Sequence, residues 1–261
     1  MKKLNIVVSG ILVFLLFSCS TDSNTNTIPP PTVNAKLLRQ MSDSDGYWSK
    51  FFYNDNNELT LITRTSNQID LDSTYLEYDE GVLIRSLQRK YEPVTGIVNI
   101  EFNYNTFNST NANGTYKTYL DDGTILQDLT FEHSYLNNLI KTIKFFNLDG
   151  TLSEERTYNH DVVGNLTSLR QIWYNSDGTI DTDRQATFSE WDTNGFRTKS
   201  LFYWNYKIDD LPNIFLSNNN CLNRIEEGET YNYSFEYDDD GNVTRYNSLN
   251  DQKFVTLEYY E

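Results

Sequence analysis

Cysteine and histidine are scarce in this chain of 261 residues, which holds two of each. So few of these residues exclude a disulfide-rich scaffold and a Cys/His zinc cluster. His133 falls on the apolar face of a predicted strand, and His160 falls in a turn. Neither histidine has a nucleophile next to it in the pattern, so no catalytic triad is indicated. We therefore expect a protein that is not an enzyme and that uses no cofactor and no metal.

Alanine, the strongest helix former, is also rare and occurs only at Ala35, Ala112 and Ala186. A helical bundle is therefore excluded. In its place the chain has 19 tyrosines and 15 phenylalanines, which favour strands. Aromatic and polar residues alternate strictly from Tyr231 to Tyr237, the period-two pattern of a half-buried strand. The composition predicts an all-β protein.

Positive charge is in deficit, because 21 basic residues face 37 acidic ones and the formal net charge is −16. The sequence contains no basic cluster that would offset this balance. An acidic chain repels nucleic acid and anionic lipid head groups, so we expect no nucleic-acid partner.

The apolar run from Ile6 to Phe17 follows Lys2 and Lys3 and is too short to span a bilayer. Such a run is typical of a secretory signal. The segment ends in Leu-Phe-Ser-Cys, which resembles the bacterial lipobox. The resemblance implies that residues 1–18 are a lipoprotein signal peptide and that Cys19 carries a diacylglycerol, usually with an acyl chain such as palmitate on its amine. Cys221 then has no partner, so we expect no internal disulfide and a buried thiol.

Residues 19–35 are polar and include Pro29, Pro30 and Pro31, a composition that cannot bury apolar area. This segment is expected to be a flexible tether, and residues 36–261 a single β-repeat domain. The partner implied by the anchor is the bacterial outer membrane. The sequence leaves open whether the domain faces the periplasm or the cell surface.

A short motif recurs along the chain, in which an aromatic residue and an Asp/Asn-rich triplet precede Gly or Asn, as in YNSDGTI. Asp and Asn cap a type I turn, and Gly or Asn accepts the left-handed conformation that closes it. The predicted turn residues are Asn57, Gly81, Gly123, Gly150, Gly164, Gly178, Gly195 and Gly241.

The spacing of these turns is that of consecutive hairpins. Gly123, Gly150 and Gly178 are expected to share one edge of a meander, with Asn138 and Gly164 on the other. The turn from Tyr158 to Gly164 is interpreted as two residues too long. The apolar residue two positions after the Gly or Asn is expected to restart the inward face; these residues are Leu59, Ile125, Leu152, Ile180 and Val243.

The stretch Tyr237 to Thr244, YDDDGNVT, resembles the YD repeat, also called the RHS-type repeat, in its Bacteroidetes lipoprotein form. The resemblance extends over most of residues 47–261 and implies stacked β-hairpins. With so few repeats, the expected fold is an antiparallel meander of repeated β-hairpins in a curved or rolled sheet. The sequence does not decide whether the sheet closes. An interruption at residues 205–220 is expected to cap a sheet end.

Two functions remain for such a domain. The first is a non-enzymatic, membrane-anchored lipoprotein that presents a structural or binding surface. The alternative is a glycan- or peptide-binding module with exposed aromatic rings, since sugar rings stack on aromatic faces. The candidate stacking residues are Trp48, Trp173, Trp191 and Trp204. The acidic turns at Asp121–Asp122 and Asp238–Asp240 lack the ligand spacing of an EF-hand and are interpreted as solvated.

Overall fold

A computed structural model describes residues 36–66, 69–137, 139–192, 219–250 and 252–261. Several predictions lie outside the described residues: those on the signal peptide, Cys19 and the tether, and those on Asn138, Gly195, Trp204 and most of the 205–220 interruption. Among the described residues, no helix is long and apolar enough to cross a membrane.

The described chain forms sixteen β-strands, joined mostly by tight turns. They are β1 Leu38–Asp43, β2 Tyr47–Tyr53, β3 Leu59–Ser66, β4 Ile69–Asp79, β5 Val82–Glu92, β6 Gly96–Phe107, β7 Asn111–Leu120, β8 Ile125–Leu136, β9 Leu139–Asn147, β10 Leu152–His160, β11 Leu166–Tyr174, β12 Ile180–Trp191, β13 Cys221–Glu226, β14 Glu229–Tyr237, β15 Val243–Ser248 and β16 Lys253–Tyr259. The prediction of an all-β antiparallel protein is confirmed.

Every strand pairs with its neighbours in sequence, and β1 also pairs with β16, so the sheet is a closed barrel. The expectation of an open curved or rolled sheet is therefore wrong, because the described strands close into a barrel. Closure leaves no unpaired strand edge among the described strands, which removes the usual site of edge-to-edge aggregation.

The two faces of the barrel wall differ sharply in polarity. Apolar residues at alternate positions point inward and form two buried clusters, one around Phe51 and Ile62 and one around Phe131 and Ile143. Tyr104 packs against both clusters and so joins them. The barrel interior is therefore filled, over part of its length, with side chains, as in small barrels generally.

One end of the barrel is sealed by a ring of eight cross-strand pairs, which we call the sealing ring. In each pair an aromatic or imidazole side chain, last or next to last in an even-numbered strand, faces an apolar residue that is first or second in the following odd-numbered strand, with β1 following β16. The pairs are Tyr53–Leu59, Tyr78–Leu83, Phe107–Ala112, Tyr135–Ile140, His160–Leu166, Trp191–Cys221, Tyr237–Val243 and Tyr259–Leu38. The eight apolar members are each at most 3% exposed. Cys221 is one of these members, which accounts for its burial.

Hydroxyl groups link neighbouring pairs of the sealing ring on both sides of the closure seam between β1 and β16. Tyr259 donates to the carbonyl of Val243 at 2.7 Å, Tyr53 to that of Leu38 at 3.1 Å, and Tyr78 to that of Leu59 at 3.0 Å. These bonds satisfy phenol groups that would otherwise be costly to bury. The recurring aromatic residue before each turn at this end therefore has a packing role and a hydrogen-bonding role.

The same turn motif at the other end of the barrel, which we call the open end, faces outward. Ile125 and Ile180 are 57% and 54% exposed, whereas Leu59 is 1% exposed at the equivalent turn position. The prediction that all these apolar residues restart the inward face is thus wrong for the open end. Successive residues of a strand alternate between faces, and a bulge such as that between Asn159 and His160 changes which face the residues after it occupy. The same motif can therefore lie inside at one end and outside at the other.

Two turn chemistries recur in the barrel. In the first, an Asp or Asn at the first turn position accepts two backbone amides; Asp161 at the sealed end accepts those of Val163 and Asn165, both at 2.9 Å, and Asp43 at the open end accepts those of Asp45 and Tyr47. In the second, at the open end, the Asp directly before Gly bonds the following Thr, as Asp177 does with Thr179. Gly123, Gly150 and Gly178 lie at the open end, with φ of 87°, 85° and 82°. The remaining described turn residues, Asn57, Gly81, Gly164 and Gly241, lie at the sealed end, also with positive φ.

The turn at Asp161 is not longer than its equivalents. His160 occupies the position that Tyr237 occupies in the last turn, since His160 is in register with Leu166 as Tyr237 is with Val243. The prediction of a turn two residues too long is wrong. It took Tyr158 as the aromatic residue before the turn, whereas the imidazole of His160 occupies that position.

Acid should weaken the barrel through the carboxylates of the sealed-end turns. Burial raises the pKa of Asp161, but hydrogen bonds from Asn165 and Val163 outweigh it and lower that pKa. A lowered pKa gives stability that is present above the unfolded pKa of about 3.9 and is lost as pH falls through the folded pKa. Asp161→Asn keeps an acceptor, as Asn54 does naturally. Its urea midpoint should fall less than that of the wild type between pH 6 and pH 3, and an equal fall would contradict this role.

Candidate functional site

Charged and amide side chains line the inner wall on β10 to β13, between the second apolar cluster and the open end. We call this group the inner polar cluster: Glu154, Arg156, Gln171, Arg184, Arg224 and Glu226. Arg156, Gln171 and Arg184 are consecutive partners in register across three strands. Their alternation with outward residues such as Arg170 places them on the same face as buried Leu169 and Ala186.

Glu154 anchors one half of the inner polar cluster. Its Oε1 accepts hydrogen bonds from Arg156 Nε and from Gln171 Nε2, both at 2.5 Å. The Arg156 side chain is only 10% exposed, and its guanidinium lies 5.6 Å from the Phe145 ring. Burial raises the pKa of the nearby Tyr116 phenol, and the charge of Glu154 raises it further.

Glu226 anchors the other half, with its side chain 6% exposed. It accepts a hydrogen bond from Arg184 Nη2 at 2.7 Å and another from Arg224. Arg184 Nε also lies 3.5 Å from Glu227 at the rim, so three guanidinium groups are balanced by three carboxylates. The Arg224 guanidinium lies 5.2 Å from the Tyr231 ring, and its Nε is buried without a hydrogen-bond partner.

Trp173 lies at the rim of the inner polar cluster. It is in register with Glu154 on one side and with Thr182 on the other, and its side chain is half-buried. Two residues further into the barrel on the same face is Gln171. Among the candidate tryptophans that the structure describes, Trp173 is the one beside the inward-facing polar residues of the cluster.

The other tryptophans lie elsewhere. Trp48 is on the outer face, with Lys50 Nζ 4.5 Å from its ring centroid. Trp191 belongs to the sealing ring and packs against the second apolar cluster. Trp204 lies outside the described residues. The three described tryptophans do not share one face, so Trp173 is the candidate that remains for stacking on a ligand at the open end.

The opposite inner wall is also polar toward the open end. Arg64 and Asp72 are partners in register, with a 3.7 Å contact between Arg64 Nη1 and Asp72 Oδ2. The Lys90 and Arg64 side chains are 45% and 43% exposed, so water reaches this part of the inner face. The interior therefore changes from sealed and apolar at one end to polar and hydrated at the other.

The remaining titratable groups have structural settings. Burial, followed by the charge of Arg156, lowers the pKa of His133 to about 3, so its imidazole is neutral at ordinary pH. Burial raises the pKa of the Cys221 thiol to about 11. Within the described ranges no group of three or more His, Cys, Asp or Glu side chains is placed to hold a metal ion.

The outer wall carries ion pairs around the whole barrel, which we call the outer ion pairs. They are Arg85–Glu101, Lys117–Asp128, Lys144–Glu155, Arg170–Asp183, Arg245–Glu236 and Arg39–Glu258. The closest of them, Arg170–Asp183, has an N–O distance of 2.6 Å. Each pair joins two adjacent strands, and together they leave a charged outer surface.

Sequence reasoning missed the inner polar cluster, although a signal was present. Glu154, Arg156 and Tyr158 occupy alternate positions, as do Arg184, Ala186 and Phe188. Charged residues in phase with the apolar face of a strand indicate a polar interior. Glu154 and Glu155 point to opposite faces, one bonded to Arg156 inside and the other to Lys144 outside.

No family model matches the chain, and no curated protein matches it either. Among solved structures, a porin-like protein from Bacteroides uniformis ATCC 8492 aligns with a TM-score of 0.52 and 14% identity, covering 87% of this chain and 98% of that one. A porin-like protein from Bacteroides vulgatus ATCC 8482 aligns with a TM-score of 0.51 and 11% identity, covering 86% and 99%. At this identity the likeness shows the fold alone.

Proposed function

We propose that this protein is a non-enzymatic lipoprotein, held at the bacterial outer membrane by Cys19, whose barrel stands in water and binds a ligand at its open end. The observation that carries the proposal is the polarity of the wall, which is charged outside and, toward the sealed end, apolar inside. A barrel that spans a membrane has the reverse pattern, with an apolar band against lipid and a polar interior.

The energetic argument concerns the outer ion pairs. An Arg or Lys facing lipid at the bilayer midplane costs roughly 2–4 kcal/mol. Arg85, Lys144 and Arg170 lie within their strands on three separate parts of the circumference. Burying the whole wall in lipid would add these costs for each basic residue, together with the acidic partners. The barrel is therefore suited to water, and the lipid on Cys19 supplies the membrane attachment.

The path of the chain supports an unobstructed open end. The described domain begins at Lys36, whose Nζ lies 3.2 Å from Asp238 and 2.8 Å from Asp240 in a sealed-end turn. The tether of residues 19–35 is therefore attached to the described barrel at its sealed end, opposite the proposed ligand entrance.

The sealing ring also supports a YD-repeat-like origin for the chain. At the sealed end an aromatic residue precedes an Asx turn, and the pair Tyr237–Asp238 shows both functions: ring packing by Tyr237 and amide capping by Asp238. We propose that the chain is a YD-repeat-like lipoprotein in which eight hairpins close into one barrel.

The anchor is tested by Cys19→Ala in the full chain. The wild type should incorporate labelled fatty acid and enter the detergent phase on Triton X-114 partitioning, because several acyl chains anchor stably. Cys19→Ala should lose the label, with Cys221→Ala as the matched control that keeps both properties. A folded Cys19→Ala protein that begins at residue 19, and so lacks the apolar run of residues 6–17, should move to the aqueous phase; if it remained in the detergent phase, the wall itself would hold lipid.

A further inference from the structure

We propose that the ligand is a neutral oligosaccharide, whose end enters the open end of the barrel and stacks one sugar ring on Trp173 beside the inner polar cluster. This inference rests on the proposed function, in which the open end is the binding surface. It assigns a ligand class to side chains that the fold itself does not need, since buried ion pairs contribute little net stability compared with apolar packing.

The first argument is the position of Trp173. An indole ring offers a large flat apolar face, and the apolar face of a sugar ring is its natural partner. Trp173 is half-buried, so its orientation is held while part of the ring meets solvent. Its register partners Glu154 and Thr182, and Gln171 next along the face, supply acceptors and donors at the edge of such a ring.

The second argument is the chemistry of the inner polar cluster. Planar Arg, Glu and Gln groups, fixed by each other's hydrogen bonds, are preorganised to bond neighbouring hydroxyl groups in pairs. Arg224 Nε is buried without an acceptor, in a side chain that is 11% exposed. An unmade bond of this kind carries a penalty that a ligand oxygen, or a water it brings, would remove.

The third argument is charge. Arg156, Arg184 and Arg224 are balanced by Glu154 and Glu226 of the cluster together with Glu227 at its rim, so these six groups carry no excess charge to attract an ion. The whole chain has a formal charge of −16, which repels polyanions at a distance. A neutral sugar fits both facts, whereas an acidic polysaccharide does not.

The fourth argument separates a sugar from a peptide. Extended peptides commonly bind by adding a strand to an exposed sheet edge. The closed pairing of β1 with β16 removes that edge. A ligand of this barrel must be recognised by side chains, and those at the open end include Trp173 and the inner polar cluster.

The test uses full-length Cys19→Ala protein and isothermal titration with six-residue oligosaccharides: α-linked glucose, β-linked glucose and β-linked mannose as neutral probes, and oligogalacturonate as the acidic one. At least one neutral probe should bind, and oligogalacturonate should bind at least tenfold more weakly. Loss of one ring stack should reduce affinity about tenfold in Trp173→Ala, equivalent to one decade of Kd. Trp48→Ala, which removes an outer-face ring, should bind as the parent does.

Trp173→Phe guards against a folding defect, because it keeps a ring at the same place and should bind within about threefold of the parent. No binding of any neutral probe to folded protein, tighter binding of oligogalacturonate, or equal losses in Trp173→Ala and Trp48→Ala would each overturn the proposal. Sugar binding by a protein that failed the anchoring test would retain this inference and reject the lipoprotein, so the two failures are distinguishable.

Discussion

Replacing Leu59 with alanine is expected to lower the free energy of unfolding by about 2–5 kcal/mol, the usual cost of truncating a fully buried leucine. Leu59 is 1% exposed and pairs with Tyr53 in the sealing ring. Neighbouring ring members hold their positions through Tyr–carbonyl bonds, including that from Tyr78 to Leu59 itself, so the wall has little freedom to collapse into the cavity. Urea unfolding followed by circular dichroism measures the loss.

The matched control is Ile125→Ala, at the equivalent position of an open-end turn. Ile125 is 57% exposed and should change the unfolding free energy by no more than about 0.5 kcal/mol, as surface substitutions usually do. Similar losses in the two variants would mean that the two ends are packed alike, and would contradict the assignment of a sealed and an open end.

Replacing Glu226 with glutamine is expected to cost about 3–5 kcal/mol, because it leaves buried guanidinium charge without its carboxylate. Arg224 and Arg184 both bond to Glu226, and the Arg184 side chain is 25% exposed, so water can compensate only in part. The shape of the side chain is almost unchanged, so the effect reports charge. Thermal and urea unfolding at neutral pH measure it.

Asp183→Asn provides the outer-face comparison, since it removes the carboxylate partner of Arg170 on a neighbouring strand. That pair has side chains 50% and 37% exposed, so water screens it and its loss should change the free energy of unfolding little. A loss in Glu226→Gln as small as that in Asp183→Asn would show that the inner polar cluster is hydrated throughout. The interior would then lack the fixed groups on which the sugar proposal depends.

Much of the local structure could be predicted from the sequence. Alternation at Tyr231–Tyr237 predicted a strand, which the structure has as β14. The Asp-rich triplets followed by Gly mark turns, and Gly123 and Gly241 have φ of 87° and 79°. Both signals depend only on a few residues that are neighbours in the chain, so a single sequence is enough to detect them.

The candidate site was harder to predict, because the inward or outward direction of every residue must be assigned correctly along several strands. A β-bulge adds one residue and reverses the inside–outside assignment of everything after it. Register shifts occur beside Tyr53, Tyr78 and His160, among others. The phase of Arg156 and of Arg184 with apolar residues can be seen within each strand, but which residues of neighbouring strands lie side by side follows only once the register is known.

The sequence by itself determined that this protein is made of short antiparallel strands and Asx–Gly turns, because those preferences are set within each hairpin by steric and hydrogen-bonding chemistry. Only the tertiary structure decided that Leu38 meets Tyr259, that one end is sealed, and that arginines from three strands share Glu154 and Glu226 inside the barrel. Closure joins residues more than two hundred positions apart, and the face that each motif presents depends on the summed parity of strand lengths and bulges. Neither quantity is contained in any single repeat.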